Sequence, residues 1–569
     1  MNDRWITDWP TSTRFPHYTR ANAGEVLADP VSPLGWTFGW DGGIVAGYKA
    51  GLIRCGMYED SDFDPVHPEC VACFGGYFYI NLSAIRLQGA RNPAATVELL
   101  DTAFFGDHPD VPPYVRHPDD NKAHLLPGIA AHTDWVISGV AWPELDNDKQ
   151  AAAMLRQTRE DLRQLSTNEL LERARTVQAQ LPHLFSQHVV SGTSAAVAPG
   201  LLGAVARAVG EPGLPMTLLS SIGDVDSADA NYALWDLSRM VQVDATLTAA
   251  FDAGPDDLLD RITSPTFLSA WDAFIMEFGS RGPDEWDLRS ATWETHPHLA
   301  LAALDRIRLQ SNDQSPRLRH RQRRQERTAL ITQMQERLRD DPDTLAMLNS
   351  GLRVAPMMAH RERTKTTIVR VLHEARMAFR ELGERNNHGE LVFQLLDREL
   401  DAYVGDPGSF THTLVEREAE WRTLFELQPP FIIANAVVAP LSQWAPRKAS
   451  GVIHAKAADV LTGIAGSPGV ARGVARVVLD PGVPGDLQPG DILVAPSTDP
   501  SWTPLFMSSA AVVVEVGGQI SHAVIVSREL GVPCVVSITN ATLLIPHGAL
   551  VEVDGNTGTV TLLPSGTSV

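Results

Sequence analysis

Cysteine is scarce in this chain: four residues in 569, too few for a disulfide framework, which makes a reducing cytoplasm the expected location. Long hydrophobic runs are missing as well. No stretch reads as the ~18 consecutive apolar residues of a membrane span. The N-terminal MNDRWITDWPTSTRF lacks the basic-then-apolar order of a secretory signal. A membrane location is therefore not expected. Positive charge is in deficit, with a formal net charge of −22; nucleic acid and anionic membrane surfaces, which need a dominant basic face, are excluded as main partners. Tandem repeats and low-complexity tracts are also lacking.

What is present reads as globular. Hydrophobic residues make up 44% and charged residues 20% of the chain, and its length allows roughly two to four domains, each able to bury a core. Three textures follow one another. Residues 1–125 are rich in Gly, Pro and aromatics, with a strand-like run GGYFYINLSAI (75–85), and are expected to form a small mixed β/α portion. Residues 126–445 carry long Leu/Ala/Arg/Glu segments at helical spacing, broken by Pro and Gly. After a linker at 446–460, overlapping the proline-containing PLSQWAPRKASG (440–451), residues 461–569 alternate short Val/Ile strands with turns and one evident helix. The expected class is multidomain, α plus α/β.

The most informative segment is VEVGGQISHAVIVSRELGVPCVV (514–536). Its opening reads as a buried strand, and Gly517-Gly518 lets the backbone turn tightly and approach a ligand. Ser521 is a good N-cap for a short helix HAVIVSREL, closed by Gly531 with Pro533 beyond it. His522 thus falls in the first helical turn, where free N–H groups and the dipole favour an anion by about 0.3–1 kcal/mol. A phosphohistidine, with about two negative charges, fits there; a solvated histidine at a helix start is the plainer reading of the dipeptide alone.

The whole string resembles the swivelling phosphohistidine domain of the phosphoenolpyruvate-utilising family. The shared features are the Gly-Gly pair, Ser521-His522, Arg528-Glu529, Leu530-Gly531-Val532-Pro533 and the closing VEVDGNTGTV (551–560). GIAGSPGVARGVARVV (463–478) and PGDILVAPSTDPSWTPLF (489–506) resemble the opening strands and TDP-x-WTP loop of the same domain. Ile520 stands where the family often has Thr. The resemblance makes 461–569 a swivelling β/β/α domain, His522 its phosphoryl carrier, and Gly517, Gly518 and Ser521 its surroundings.

Upstream, YTRANAGEVLADPVSPLGW (18–36), FGGYFYINLS (74–83), FGSRGPDEWDLRSATW (278–293) and HRERTK (360–365) resemble the helical substrate-binding domain of rifampicin phosphotransferases. In that family an Arg and a Lys four residues apart hold phosphate at the acceptor site, and Arg361 and Lys365 match them. Periodicity agrees: positions 361, 365, 368, 372, 375, 379 and 382 form one helical stripe that continues into Ile368, Leu372, Ala375, Phe379 and Leu382. Inward charges are costly unless paired or facing an anion; a fraying, solvated helix end is the other reading. The Gly/Pro-rich turn with Arg281, Asp284, Glu285 and Asp287 reads in two ways. It is either an ordinary exposed loop or one that presents Arg281 to phosphate and a carboxylate to the acceptor hydroxyl as general base, with Glu285 and Asp287 the substrate-binding candidates. Arg20 and Glu25 are weaker substrate-binding candidates.

No Gly-rich phosphate-cradling loop is found, so an ATP-grasp domain is expected on a separate subunit. ATP and Mg2+ would be supplied through that partner, as in the split organisation of phenylphosphate synthase, and this chain would hold no cofactor of its own. The resemblance then implies a phosphotransferase acting on a hydroxyl of a small organic molecule. Two alternatives stay open: a dehydratase that eliminates phosphate from the activated alcohol, and a non-catalytic phosphocarrier. His67, Cys70, Cys73 and Cys55 have no second C-x2-C pair, so no metal site is expected. The basic run RLRHRQRRQER (317–327) reads as a solvated face or a docking surface within an acidic protein. His17 and His360 read as core histidines more readily than as bases.

Overall fold

The computed structural model describes residues 3–92, 96–105, 110–139, 141–223, 225–254, 257–447, 454–518 and 521–564. Part of the expected linker, 448–453, lies outside them.

The N-terminal part is organised by a four-stranded antiparallel sheet ordered β2-β3-β1-β5. It joins β1 (Tyr18–Thr19), β2 (Val71–Phe74) and β3 (Tyr77–Asn81). The edge strand β5 (Ile432–Ile433) arrives from the far end of the helical region, flanked by the pair β4 (Leu427–Gln428) and β6 (Ala445–Pro446). Residues near 18 and 432 therefore belong to one sheet. Sequence reading of the first 125 residues missed this, because a two-residue strand leaves no periodic trace.

The centre of the helical region is the helix Met357–Arg385, 29 residues long. It packs on helices Leu181–Ala195, Thr167–Gln178 and Pro143–Gln157. The expected apolar stripe is only part of its buried surface. Glu362, Thr366, Arg370, Glu374 and Arg376, off the stripe, are buried too. A helix at the middle of a bundle has no solvent face, so its polar residues find partners inside. One stretch, Thr167–Val209, contains an apolar window long enough to cross a membrane, contrary to the sequence expectation. Half of that window is buried inside the fold, and the central helix covers part of it.

The C-terminal part is an eight-stranded sheet ordered β7-β14-β13-β9-β10-β11-β12-β8. Its strands are β7 (Val460–Thr462), β8 (Ile464–Ser467), β9 (Val470–Val477), β10 (Ile492–Ala495), β11 (Ala511–Val514), β12 (Cys534–Val536), β13 (Leu550–Asp554) and β14 (Thr559–Leu562). From β9 to β12 the pairing is parallel, and elsewhere antiparallel. Every residue of β10, β11 and β12 is buried, as covered parallel strands require. Their alternation divides two cores. Ile492, Val494, Val513 and Val535 face Ile538, Ile545 and Val551. Leu493, Val512, Val514 and Val536 join a second core with Trp235, Phe267, Trp271, Phe274 and Leu304 of the helical region. The histidine helix (His522–Leu530) lies on this second face, and its Ile525 packs into the main helical core.

The basic helix Pro316–Arg337 divides its charges. Arg321 and Arg324 are exposed. His320 Nδ1 lies 3.3 Å from a Glu529 carboxylate oxygen at the end of the histidine helix. Arg327 Nε donates to the Leu218 carbonyl at 2.8 Å.

Candidate active site

The histidine helix begins at His522 because Ser521, at φ −67° and ψ 161°, occupies the extended N-cap conformation. It ends at Gly531, which takes the left-handed conformation at φ 68° at no Cβ cost. Ser521 departs from expectation in one respect: its hydroxyl makes no capping bond and is buried without a partner among the described residues. A Cβ at Gly517 would stand 3.1 Å from that oxygen and 3.2 Å from Val536 Cβ, so a side chain there would press on Ser521 and Val536 and make them give by a few tenths of an ångström. Gly518 accepts the Ser521 N–H at 3.0 Å; Gln519 and Ile520 lie outside the described residues.

His522 is only 3% exposed. Its Nε2 is 3.2 Å from Thr503 Oγ1, and Nδ1 is buried without a partner among the described residues. Burial, reinforced by Lys365, Arg281 and Arg361, holds the imidazole pKa well below its ordinary value. The ring is therefore neutral near pH 7, with a lone pair available as nucleophile. Thr503 comes from the TDP-x-WTP loop. In the same loop Asp499 accepts from the Ser501 backbone N–H at 2.7 Å and from its hydroxyl.

Facing this loop is the turn 281–290. Arg281 Nη1 donates to Glu285 Oε1 at 2.9 Å and Nη2 donates to Thr366 Oγ1 at 2.6 Å. Glu285 is fully buried, and its Oε2 has no partner among the described residues. The Asp284 backbone N–H donates to Asp499 Oδ2 at 3.3 Å, joining the two loops. Burial drives both carboxyls upward, Asp499 to about 6 and Asp284 well above the carboxylate range, where Asp29 and Asp499 add to the effect. The central helix pins the turn from behind: Arg376 Nη2 donates to the carbonyls of Glu285 and Asp287, and its Nε to that of Leu288.

Lys365 is 9% exposed and makes no hydrogen bond or ion pair with the described residues. Arg361 Nη1 lies 3.2 Å from Glu362 Oε1. His188, 3.0 Å from Thr364 Oγ1 and near Trp286, is held neutral: burial, then Arg361 and Lys365, push its pKa down to about 3.

Glu25 sits on the one-turn helix Ala23–Val26. Its carboxylate meets the His522 backbone N–H and the charges of Arg361 and Lys365, yet burial wins and raises its pKa to about 7. Sequence candidates thus divide. His522, Glu25, Arg281, Glu285, Arg361 and Lys365 converge. Arg20 and Asp287 do not face this centre. Arg20 donates to the carbonyls of Phe78, Leu27 and Ala28, between Tyr77 and Tyr79, and so fixes the segment that carries Glu25. Asp287 accepts from the Ser32 backbone N–H at 2.8 Å and from its hydroxyl. Both side chains are engaged by internal groups, as a buried charge in a loop requires. Sequence reading missed Asp499, Thr503, Thr366 and His188; the TDP-x-WTP string was the signal for two of them. His17 Nδ1 accepts from the Asn435 N–H at 3.2 Å, and His360 packs on Trp142. All four cysteines are free and buried. Among the described residues no group of three or more His, Cys, Asp or Glu is arranged to hold a metal.

Residues 185–362 match the family model described as rifampicin phosphotransferase fourth domain, and residues 487–558 match that of the PEP-utilising enzyme mobile domain. An uncharacterized protein of Mycobacterium tuberculosis is 29% identical over 588 residues, covering 97% of this chain and 62% of that protein. A rifampicin phosphotransferase of a Streptomyces species is 30% identical over 375 residues, 62% of this chain and 42% of that one. The prodigiosin synthesizing transferase PigC of Serratia marcescens is 29% identical over 369 residues, 61% of this chain and 40% of that one. The chain spans at most 62% of the length of these three relatives. His522 thus lies within the residues that match a PEP-utilising enzyme mobile domain, downstream of residues that match a rifampicin phosphotransferase domain.

Proposed function

We propose that the chain is the histidine-bearing, acceptor-binding part of a phosphotransferase. His522 takes a phosphoryl group that originates in Mg-ATP on an ATP-grasp subunit or domain. The mobile domain then brings it to the helical region, where a hydroxyl of a small organic molecule receives it. The observation that carries this reading is the burial of a neutral His522 at a helix start, within the field of Arg281, Arg361 and Lys365. Phosphoryl transfer needs positioning and neutralisation of the equatorial oxygens more than covalent chemistry. Three cations and the N-terminus of the histidine helix supply that neutralisation.

Chemistry at the donor side is not assigned to this chain's residues. The described carboxylates form no metal-holding group, and the Mg2+ that bridges nucleotide phosphates would be held with the nucleotide. The chain's own part is to present a neutral imidazole, keep water away from it, and hold the transferred group between Arg361, Lys365 and Arg281. The names of two relatives, a rifampicin phosphotransferase and a prodigiosin synthesizing transferase, favour transfer to or activation of small organic molecules.

The test is product mass after incubation of the chain with ATP, a nucleotide-binding partner and a panel of alcohols and phenols. A gain of one phosphoryl group on an acceptor supports phosphotransfer. Loss of water from the acceptor assigns the site to dehydration, and a labelled chain that never discharges assigns it to a phosphocarrier.

A further inference from the structure

His188 is a partly buried histidine on the helix Leu181–Ala195, which packs along the central helix Met357–Arg385. Its ring touches both elements that carry the acceptor-side cations. On one side Nδ1 is 3.0 Å from Thr364 Oγ1, and Thr364 stands in the turn of the central helix bounded by Arg361 and Lys365. On the other, the ring centroid is 5.9 Å from that of Trp286. Trp286 directly follows Glu285, whose carboxylate accepts from Arg281 at 2.9 Å. Arg281 closes the circuit by donating to Thr366 Oγ1 at 2.6 Å. Contacts on both sides therefore set His188 between the turn and the helix that bear the three cations.

The hydrogen bonds around the ring decide which nitrogen carries its proton. Thr364 and Ser191 have one hydroxyl proton each. Thr364 donates its proton to the Arg361 carbonyl at 2.9 Å, and Ser191 donates to the His188 carbonyl at 2.9 Å. Neither hydroxyl has a second proton to offer, so Nδ1 carries the hydrogen and donates to Thr364 Oγ1. The Arg361 carbonyl, which can only accept, also faces the ring and favours the same arrangement. Nε2 then holds the lone pair, and among the described residues nothing hydrogen-bonds to it. With the pKa pushed down to about 3 by burial, then by Arg361 and Lys365, the ring stays neutral at working pH. A nitrogen so weakly basic is a hydrogen-bond acceptor rather than a store for protons.

We infer that His188 is the group that reads the acceptor, its Nε2 accepting a hydrogen bond from the acceptor hydroxyl and so turning that oxygen toward the phosphoryl group held by Arg361 and Lys365. The inference rests on the phosphotransfer reading above and names a residue that selects and aims the substrate. A hydroxyl has one proton and two lone pairs. Fixing the proton on Nε2 leaves a lone pair free to point at phosphorus, which is the positioning that phosphoryl transfer needs. Thr364 orients His188 as His188 orients the hydroxyl.

The experiment uses the full chain in two measurements. Nitrogen-15 NMR of the His188 ring, assigned by its loss in His188→Asn, should show hydrogen on Nδ1; hydrogen on Nε2 would overturn the inference. The chain is then labelled on His522 with phosphoramidate, a small histidine-phosphorylating donor, and discharged to two probes. Methanol has a hydroxyl proton to give; pyridine is a nucleophile with none. His188→Asn keeps a donor for Thr364 but has nothing at the Nε2 position. It should form methyl phosphate about tenfold more slowly, the worth of one hydrogen bond, and lose label to pyridine within about twofold of the wild-type rate. His188→Gln, whose amide oxygen can reach the Nε2 position, should restore most of the methanol rate. Equal methyl phosphate formation in wild type and His188→Asn would overturn the inference. So would parallel slowing with both probes, which would make His188 part of the packing alone. A wild type that takes no label would overturn the phosphotransfer reading itself, a failure visible before any variant is compared.

Discussion

Thr503 Oγ1 lies 3.2 Å from Nε2 of His522, and this contact fixes the imidazole from the neighbouring loop while Nδ1 has no partner among the described residues. Thr503→Val should leave Nε2 buried and unsatisfied and slow phosphorylation of His522 about two- to tenfold, the worth of one net hydrogen bond. Thr503→Ser should restore the rate. Loading kinetics with nitrogen-15 NMR of the ring check this; an unchanged tautomer balance and rate in Thr503→Val would remove Thr503 from the site.

Arg361 and Lys365 are expected to act after loading. Arg361→Ala and Lys365→Ala should keep His522 phosphorylation and slow discharge to the acceptor by about ten- to a hundredfold, the cost of one charge-assisted contact of about 1.5–3 kcal/mol. Discharge at the wild-type rate in both variants would return these residues to a structural role and move attention to Arg281.

Docking of the mobile domain should depend on pH. Burial raises Glu25 to about 7 and Asp499 to about 6, so the docked arrangement favours their protonated forms. A carboxyl that ionises less readily when docked weakens docking as pH rises through its raised pKa. His522 acts oppositely, because docking lowers its pKa, but that cost is felt only where a solvated imidazole would be protonated, below about 6.5. The domains should therefore separate as pH climbs from about 6.5 to 8, read by small-angle scattering or a fluorescence pair across the seam. Tighter packing over that range would contradict the assignment.

Arg376 should matter for stability. It is fully buried, holds the carbonyls of Glu285, Asp287 and Leu288, and donates to His373 Nδ1 at 3.0 Å. His373 in turn pairs with Glu294 at 2.7 Å. Arg376→Met keeps much of the volume and orphans all of these acceptors, for a loss of about 3–5 kcal/mol in urea unfolding.

Much of the histidine domain was legible because its signals are local. The helix at 522–530 was bounded by a serine and a glycine whose preferred conformations do not depend on the rest of the fold. The parallel strands were continuous apolar runs, which a doubly covered sheet requires. What could not be read was long-range. Glu25 and His522 are nearly five hundred positions apart, and nothing in TRANAGEVL says that its glutamate will meet a distant backbone N–H. The same holds for Arg20: nothing in its motif says that the guanidinium will meet the carbonyls of Phe78, Leu27 and Ala28. On the central helix the stripe argument placed Lys365 inward, but a helix buried on every side cannot separate functional charges from structural ones by period alone.

The central claim is that His522 carries the phosphoryl group, and isotope labelling of the full chain tests it most directly. With labelled donor, an acid-labile, base-stable phosphate should appear on the chain, map by mass spectrometry to the peptide containing His522, and vanish in His522→Ala. Label that persists in His522→Ala at the wild-type level would contradict the account.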